Sequence, residues 1–216
     1  MKNDSREDYL ISILRLTEGT GTVRTSELAD FMSISPGSVT EMLKILKREG
    51  FVNYERYHGV SLTDLGITRA RDLRRKHHIM ERFFTDVLEM DSDHAHQQAH
   101  AMEHAISDDA AGKICRITGT NVDADCTTCS NPCSNPDSAL GVPVTDLRSG
   151  DGGVITRLSS DDSTVTRKLI SMGFVPGREI EISAIVSDKG ARIIRIGESS
   201  VALDRNMASS IFVCKR

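Results

Sequence analysis

Along the first half of the chain apolar residues recur every three to four positions, and along the last third they alternate in short runs, so the pattern predicts helices followed by strands. Between Ser5 and Glu18, the residues Tyr9, Leu10, Ile13, Leu14 and Leu16 make an amphipathic stripe that Gly19 and Gly21 close. Thr25 is placed to cap a short helix carrying Leu28, Ala29 and Phe31. After the turn Ser33-Ile34-Ser35, a second helix starts with Ser35 as cap and Pro36 at its first position, buries Val39, Met42, Leu43, Ile45 and Leu46, and stops at Gly50. Two strand-like runs, 51–55 and 60–63, flank a tip of Arg56, Tyr57, His58 and Gly59. One long helix is predicted from Thr63 to Leu88, capped at Thr63-Asp64 with Leu73, Ile79, Met80, Phe83, Phe84 and Leu88 on its apolar side. Helices from His94 to Ala105 and from Ser107 to about Ile117 follow.

Two short helices around a tight turn, followed by a hairpin, read as a winged helix-turn-helix; an ordinary helical domain with a hairpin is the alternative. In the first reading Ser35, Pro36, Gly37, Ser38, Thr40 and Glu41 open the helix that enters a major groove, and Arg56, Tyr57 and His58 reach the phosphate backbone. The basic cluster Arg69, Arg71, Arg74, Arg75 and Lys76 on the long helix reads as a solvated face or a phosphate contact. Helices with this much apolar surface suit a dimer interface, and a two-fold dimer would present two reading helices to a palindrome. Residues 119–141 are polar and linker-like. From Val142 onward, runs at 153–158, 179–186, 191–196, 200–204 and 211–214 predict five strands, with a hairpin turn at Ser187 to Gly190 and a short helix from Val165 to Met172, which is a small barrel. The expected architecture is multidomain and mainly α: a winged helix-turn-helix over 1–64, a helical metal-binding and dimerisation domain over 65–118, a linker over 119–141 and a small SH3-like β-barrel over 142–216.

Composition narrows this little. The net charge is −4, yet residues 1–82 hold 14 Lys and Arg against 12 Asp and Glu, so a polyanion would meet the N-terminal part. No run of about 18 apolar residues occurs and the first eight residues hold no apolar signal core, so the expected location is cytoplasmic, with no membrane partner.

The chemistry concentrates between residues 77 and 104, where six of the seven histidines lie. On a continuous helix His96, His100, Glu103 and His104 would share one stripe, and His77 and Glu81, spaced i,i+4, offer another nitrogen and oxygen pair. Imidazole with carboxylate suits Fe, Mn, Zn, Co or Ni; a solvated polar helix rich in histidine is the plain alternative. In the linker, Cys126, Cys129 and Cys133 suggest zinc, an iron-sulfur cluster or redox use, with Cys115, Cys214 or a partner chain as a fourth ligand, set against an inert linker.

Glu7-Asp8-Tyr9-Leu10, Ser35 to Thr40, Arg75 to Arg82 with its His77 and Glu81, and Glu103-His104 to Asp108 resemble, in this order and spacing, the diphtheria toxin repressor family of iron- or manganese-dependent transcriptional regulators, over residues 1 to about 118. That resemblance implies an activating metal site at Asp8, His100, Glu103 and His104 and an ancillary site at His77, Glu81 and His96. Iron-responsive members typically have Met where Asp8 stands and Cys where His100 stands; manganese-responsive members have Asp and Glu there, with a further Glu in place of Ile11, so this chain is intermediate. Two imidazoles in the activating site favour Fe2+ over Mn2+, and Co2+, Ni2+ and Zn2+ are expected to substitute in vitro. Leu147 to Val154, Lys168 to Gly177 and Glu179 to Ile182 resemble the SH3-like FeoA domain of ferrous-iron uptake systems, which also forms the third domain of such regulators. Where some members lend metal ligands from that domain, this chain has Arg157 and Ser160, with Asp161 and Asp162 as nearby acidic substitutes. The resemblance therefore implies a metal-dependent repressor, not an enzyme, that binds a palindromic operator as a homodimer. The alternatives are a metal-dependent hydrolase using the His/Glu cluster and an iron-transport accessory protein.

Overall fold

The computed structural model describes residues 4–19, 21–118, 141–186 and 191–215, which form two compact units, Met1–His77 with His100–Ala105 and His78–Ala99 with Ile106–Arg216.

The first unit begins with α1 (Asp4–Thr17), α2 (Thr25–Met32) and α3 (Pro36–Arg48), followed by a hairpin of β1 (Val52–Glu55) and β2 (Gly59–Leu62) and the start of α4 (Asp64–Arg82). Tyr9, Leu10, Ile13, Leu14, Leu28, Val39, Leu43 and Leu46 meet in one core with Val52, Val60 and Ala70. Leu16 and Phe31, placed on apolar stripes by the sequence pattern, are 38% and 48% exposed instead. Ser35 caps α3 by accepting from Ser38 N, and Pro36 occupies the first turn, where a missing N–H costs nothing. Thr25 is a first-turn residue of α2 and not its cap; Arg24 N donates to Glu27 at 2.9 Å there. The hairpin pairs Val52 with Leu62 and Glu55 with Gly59, and Val23 adds two backbone bonds of 2.9 Å to Val60. Gly66 opens α4 so close to the chain before β1 that an added Cβ would lie 2.0 Å from Phe51 O, which fixes how the helix leaves the wing.

In the second unit α4 does not run unbroken to Leu88: after Arg82 a π-helical turn spans Phe83–Val87, and Leu88 is 52% exposed. Met80 and Phe84 pack with Ala95 and Ala99 of α5 (Ser92–Met102), while Ile79 packs with Ala111 and Cys115 of α6 (Asp108–Thr118). The C-terminal part holds six strands, β3 (Val142–Pro143), β4 (Gly152–Leu158), β5 (Glu179–Ile185), β6 (Arg192–Ile196), β7 (Ser199–Leu203) and β8 (Ile211–Lys215), with α7 (Ser163–Ser171) after β4 and α8 (Arg205–Ser209) after β7. The order is β3-β8-β4-β5-β6-β7, with every neighbouring pair antiparallel, and among the described residues this is one short strand more than the sequence pattern predicts. Bulges between Ile155 and Arg157 and between Ile182 and Ala184 bend the sheet around a core that includes Leu158, Leu169, Phe174, Ile194 and Val213. The hairpin turn expected at Ser187 to Gly190 lies outside the described residues. Among the described residues no helix is long and apolar enough to cross a membrane.

Candidate metal centre and nucleic-acid interface

The helix carrying the histidines ends at Met102, so Glu103 and His104 sit in the turn after α5 and not on its surface stripe. The turn rotates Glu103 inward, where it is 2% exposed. One of its oxygens lies 2.7 Å from His77 Nδ1 and the other 2.9 Å from His100 Nδ1 and 3.3 Å from His104 Nε2. Across 96 positions of sequence, His104 Nε2 lies 3.1 Å from Asp8 Oδ1, and across 97 its Nδ1 lies 2.6 Å from Glu7 Oε2. Glu7 is itself buried and paired with Arg69. Burial alone would raise the Glu103 carboxyl, but the His77 hydrogen bond and the neighbouring imidazoles hold it below its ordinary value. Burial alone would lower His104, and the hydrogen bond to Glu7 with the charges of Glu103, Asp8 and Glu7 raises it.

Asp8, His100, Glu103 and His104 can thus each offer one ligand atom with all four within 4.8 Å of one another. Two nitrogens and two carboxylate oxygens are the donor chemistry of Fe2+, Mn2+, Co2+, Ni2+ and Zn2+, so the residues fit a divalent transition metal. A hollow of about 240 Å³ opens beside them, lined by Ile11, Arg15, Phe31 and Met32 together with Asp8, His100 and Glu103. In the second unit, His96 Nδ1 lies 3.1 Å from Glu81 Oε1, and both side chains face solvent in part. His77, one turn before Glu81 on α4, is committed to Glu103 through Nδ1. His96 therefore parts company with His100 and His104, against the single stripe drawn on a continuous helix.

The basic cluster on α4 is withdrawn from solvent in part, with Arg69, Arg71 and Arg74 half-buried. Arg75 and Lys76 are each 5% exposed, and Asp72 pairs with Arg75 at 2.9 Å, with Lys76 at 3.2 Å and with Arg69 at 3.7 Å. Asp162, offered by the sequence as a substitute ligand, accepts from Thr164 N at 2.8 Å as the cap of α7, and the Arg157 guanidinium stacks on the Phe212 ring at 3.9 Å. Cys126, Cys129 and Cys133 lie outside the described residues; Cys115 is buried and Cys214 exposed.

A groove of about 680 Å³ runs between α3 and the hairpin, lined by Arg24, Thr25, Ser26, Pro36, Thr40, Lys44, Tyr54, Arg56 and Tyr57. Ser35, Pro36, Gly37 and Ser38 are all exposed at its α3 end. Thr40 donates its hydroxyl to Pro36 O at 2.9 Å and Glu41 pairs with Lys44 at 2.7 Å, so those two side chains are already engaged. At the hairpin tip Tyr57 is 88% exposed in a left-handed conformation (φ 71°), with Arg56 4.9 Å from its ring centroid and exposed His58 beside it. Arg24 and Lys44 escape a reading by helix start and wing tip alone, although Lys44, one turn beyond Thr40, was open to helical periodicity.

Residues 1–60 match the family model for the iron-dependent repressor N-terminal DNA-binding domain, 63–129 that for the iron-dependent repressor metal-binding and dimerisation domain, and 142–215 that for the FeoA domain. An uncharacterized HTH-type transcriptional regulator of Methanocaldococcus jannaschii is 41% identical over 113 residues, 52% of this chain and 90% of that one. The HTH-type transcriptional regulator MntR of Listeria welshimeri is 32% identical over 114 residues, 53% of this chain and 80% of that one. Among solved structures, a manganese-dependent transcriptional repressor in complex with manganese superposes with a TM-score of 0.50 at 25% identity, over 98% of this chain and 100% of that chain.

Proposed function

The chain belongs to the iron-dependent repressor family, and from that premise we propose that it is a transcriptional repressor whose hold on operator DNA depends on a divalent metal ion. The observation that carries this reading is the meeting of Asp8, on the first helix of the helix-turn-helix unit, with His104, which lies 96 residues later in the chain. Asp8, His100, Glu103 and His104 are the proposed activating ligands, and His77, Glu81 and His96 the proposed ancillary ones. A divalent ion would supply a fixed coordination sphere and a positive charge to groups that otherwise satisfy one another in pairs. Glu7 keeps a proton on His104 Nδ1, which leaves the Nε2 lone pair on the Asp8 side. Asp8 then ties α1 to the turn after α5, restricting how α3 is presented.

On the DNA side, Ser35 to Ser38, with the Gly37 N–H at the start of α3, serve base and phosphate contacts, and Arg56, Tyr57 and His58 serve the backbone. Thr40 and Glu41 lie on the same helix and contribute once their present partners, Pro36 O and Lys44, are exchanged. The working form is a homodimer on a palindrome, with half-sites about 34 Å apart. Fe2+ is favoured over Mn2+ because two imidazoles make the activating set softer than a carboxylate-rich one, and Ile11 lines the adjoining hollow where a further carboxylate would favour the harder ion. Hydrolysis and a transport accessory role each leave the helix-turn-helix without work.

Retardation of DNA from the region upstream of the chain's own gene tests the reading. Anaerobic Fe2+ is expected to tighten binding by roughly 5- to 150-fold and a chelator to reverse it. Equal retardation with and without metal would overturn it, and a response to micromolar Mn2+ with none to Fe2+ would reverse the choice of ion.

A further inference from the structure

Glu81 and His96 stand on the two arms of a helical hairpin, α4 and α5, and the nine residues between the arms set their spacing. That connection is irregular. It holds the π-helical turn Phe83–Val87, closed by Leu88 N donating to Phe83 O at 3.3 Å, and then Glu89 in a left-handed conformation (φ 56°) that a residue with a Cβ rarely adopts. Arg167 of α7 reaches both irregularities. Its Nη1 donates to Asp86 O at 3.0 Å, its Nε pairs with Glu89 at 2.8 Å, and Ser163 Oγ, 3.2 Å from Nη1, steadies the guanidinium from its own helix. The Asp86 side chain in turn holds Arg82, the neighbour of Glu81, through bonds of 2.8 and 2.7 Å.

We infer that Arg167 is a positioning residue for the ancillary ligands: the FeoA-like domain supports Glu81 and His96 by pinning the bend of the hairpin that carries them. A planar guanidinium suits this task because it serves a carbonyl and a carboxylate together, which an ammonium on a flexible stem does less well. The inference rests on the proposed reading of Glu81 and His96 as metal ligands.

Titration of the full chain with Mn2+, with the free ion counted by electron paramagnetic resonance, tests it. Glu81→Gln should lose the weaker of two bound ions. Arg167→Gln should weaken that same ion by about tenfold and leave the tighter one unchanged, with Arg167→Lys recovering part of the loss. Glu89→Gln, an exposed change that leaves the Asp86 contact in place, should give a smaller loss in the same direction and serves if Arg167→Gln fails to fold. Loss of an ion in Glu81→Gln with unchanged binding in both Arg167→Gln and Glu89→Gln would overturn the inference alone. Retention of both ions in Glu81→Gln would overturn the ligand reading beneath it. An equal loss of both ions in a folded Arg167→Gln would show a general structural role and would also overturn it.

Discussion

The cluster around Glu103 and the pair Glu81–His96 use the same two side-chain chemistries in opposite surroundings. In the first, Glu103, Glu7 and His104 have side chains 2%, 6% and 10% exposed, against 36% for Asp8 and 60% for His100, and the buried carboxylates have further partners behind them, His77 behind Glu103 and Arg69 behind Glu7. In the second, the His96 and Glu81 side chains are 55% and 32% exposed. Burial makes an unpaired charge costly and a well-placed counter-charge valuable, so the first set is prepared to take up a cation and the second must compete with water. The difference teaches that ligand identity alone does not rank two sites; what lies behind the ligands does.

The contrast can be broken hardest at its buried centre. Glu103→Gln should lower affinity for the tighter ion by more than about a hundredfold in a chelator competition, because it removes a ligand and leaves buried His77 and exposed His100 without their shared carboxylate. Asp8→Ala is expected to keep dimerisation and the weaker ion while removing most of the roughly 5- to 150-fold dependence of operator binding on metal, read by gel retardation. Glu7→Gln touches no proposed ligand position, yet it should cost about tenfold in the tighter ion by freeing the ring of His104, a loss that isothermal titration would resolve. Acid sharpens the same point. His104 is held above its ordinary value, so without metal its proton stabilises the fold below the ordinary imidazole range and that contribution is lost as pH rises through the raised value. Metal must displace that proton, so affinity at the tighter site should rise with pH over the same window, by up to about tenfold per unit, in competition titrations on either side of neutrality. The smallest effect belongs to the exposed pair: His96→Ala should remove the weaker ion but move thermal stability in the metal-free state by no more than about 0.5 kcal/mol.

Much of this was legible in sequence wherever a local rule decides the backbone. Ser35-Pro36 marks a helix start by capping and by a fixed φ, and the alternation after Val142 marks strands, so both appear where the pattern places them. The set Asp8, His100, Glu103 and His104 came from resemblance, since nothing local links residue 8 to residue 104. Three features escaped. No glycine or proline stands at Met102, so nothing in the pattern ends α5 there, and the turn that buries Glu103 depends on what it packs against. The π-helical turn carries no signature in Phe83 to Val87. Glu7 looks like any acidic residue in a first turn, and its burial against Arg69 and His104 is settled by tertiary contacts alone. The pairing of Asp72 with Arg75 and Lys76, at i,i+3 and i,i+4, was open to the same periodicity that drew the apolar stripes.

The separation of 97 positions between Glu7 and His104 also bears on how the protein is made. A helix-turn-helix formed of local contacts can fold soon after its last strand emerges, whereas a contact of this sequence separation waits for the chain to be synthesised and its long loop closed. At about 5 to 20 residues per second, residue 104 follows residue 7 by roughly 5 to 20 s. Through that interval a nascent chain has the proposed DNA-reading helix but not the proposed metal ligands His100 and His104, so on that reading competence to read DNA precedes competence to respond, and newly made protein begins its life in the unliganded state whatever the metal supply.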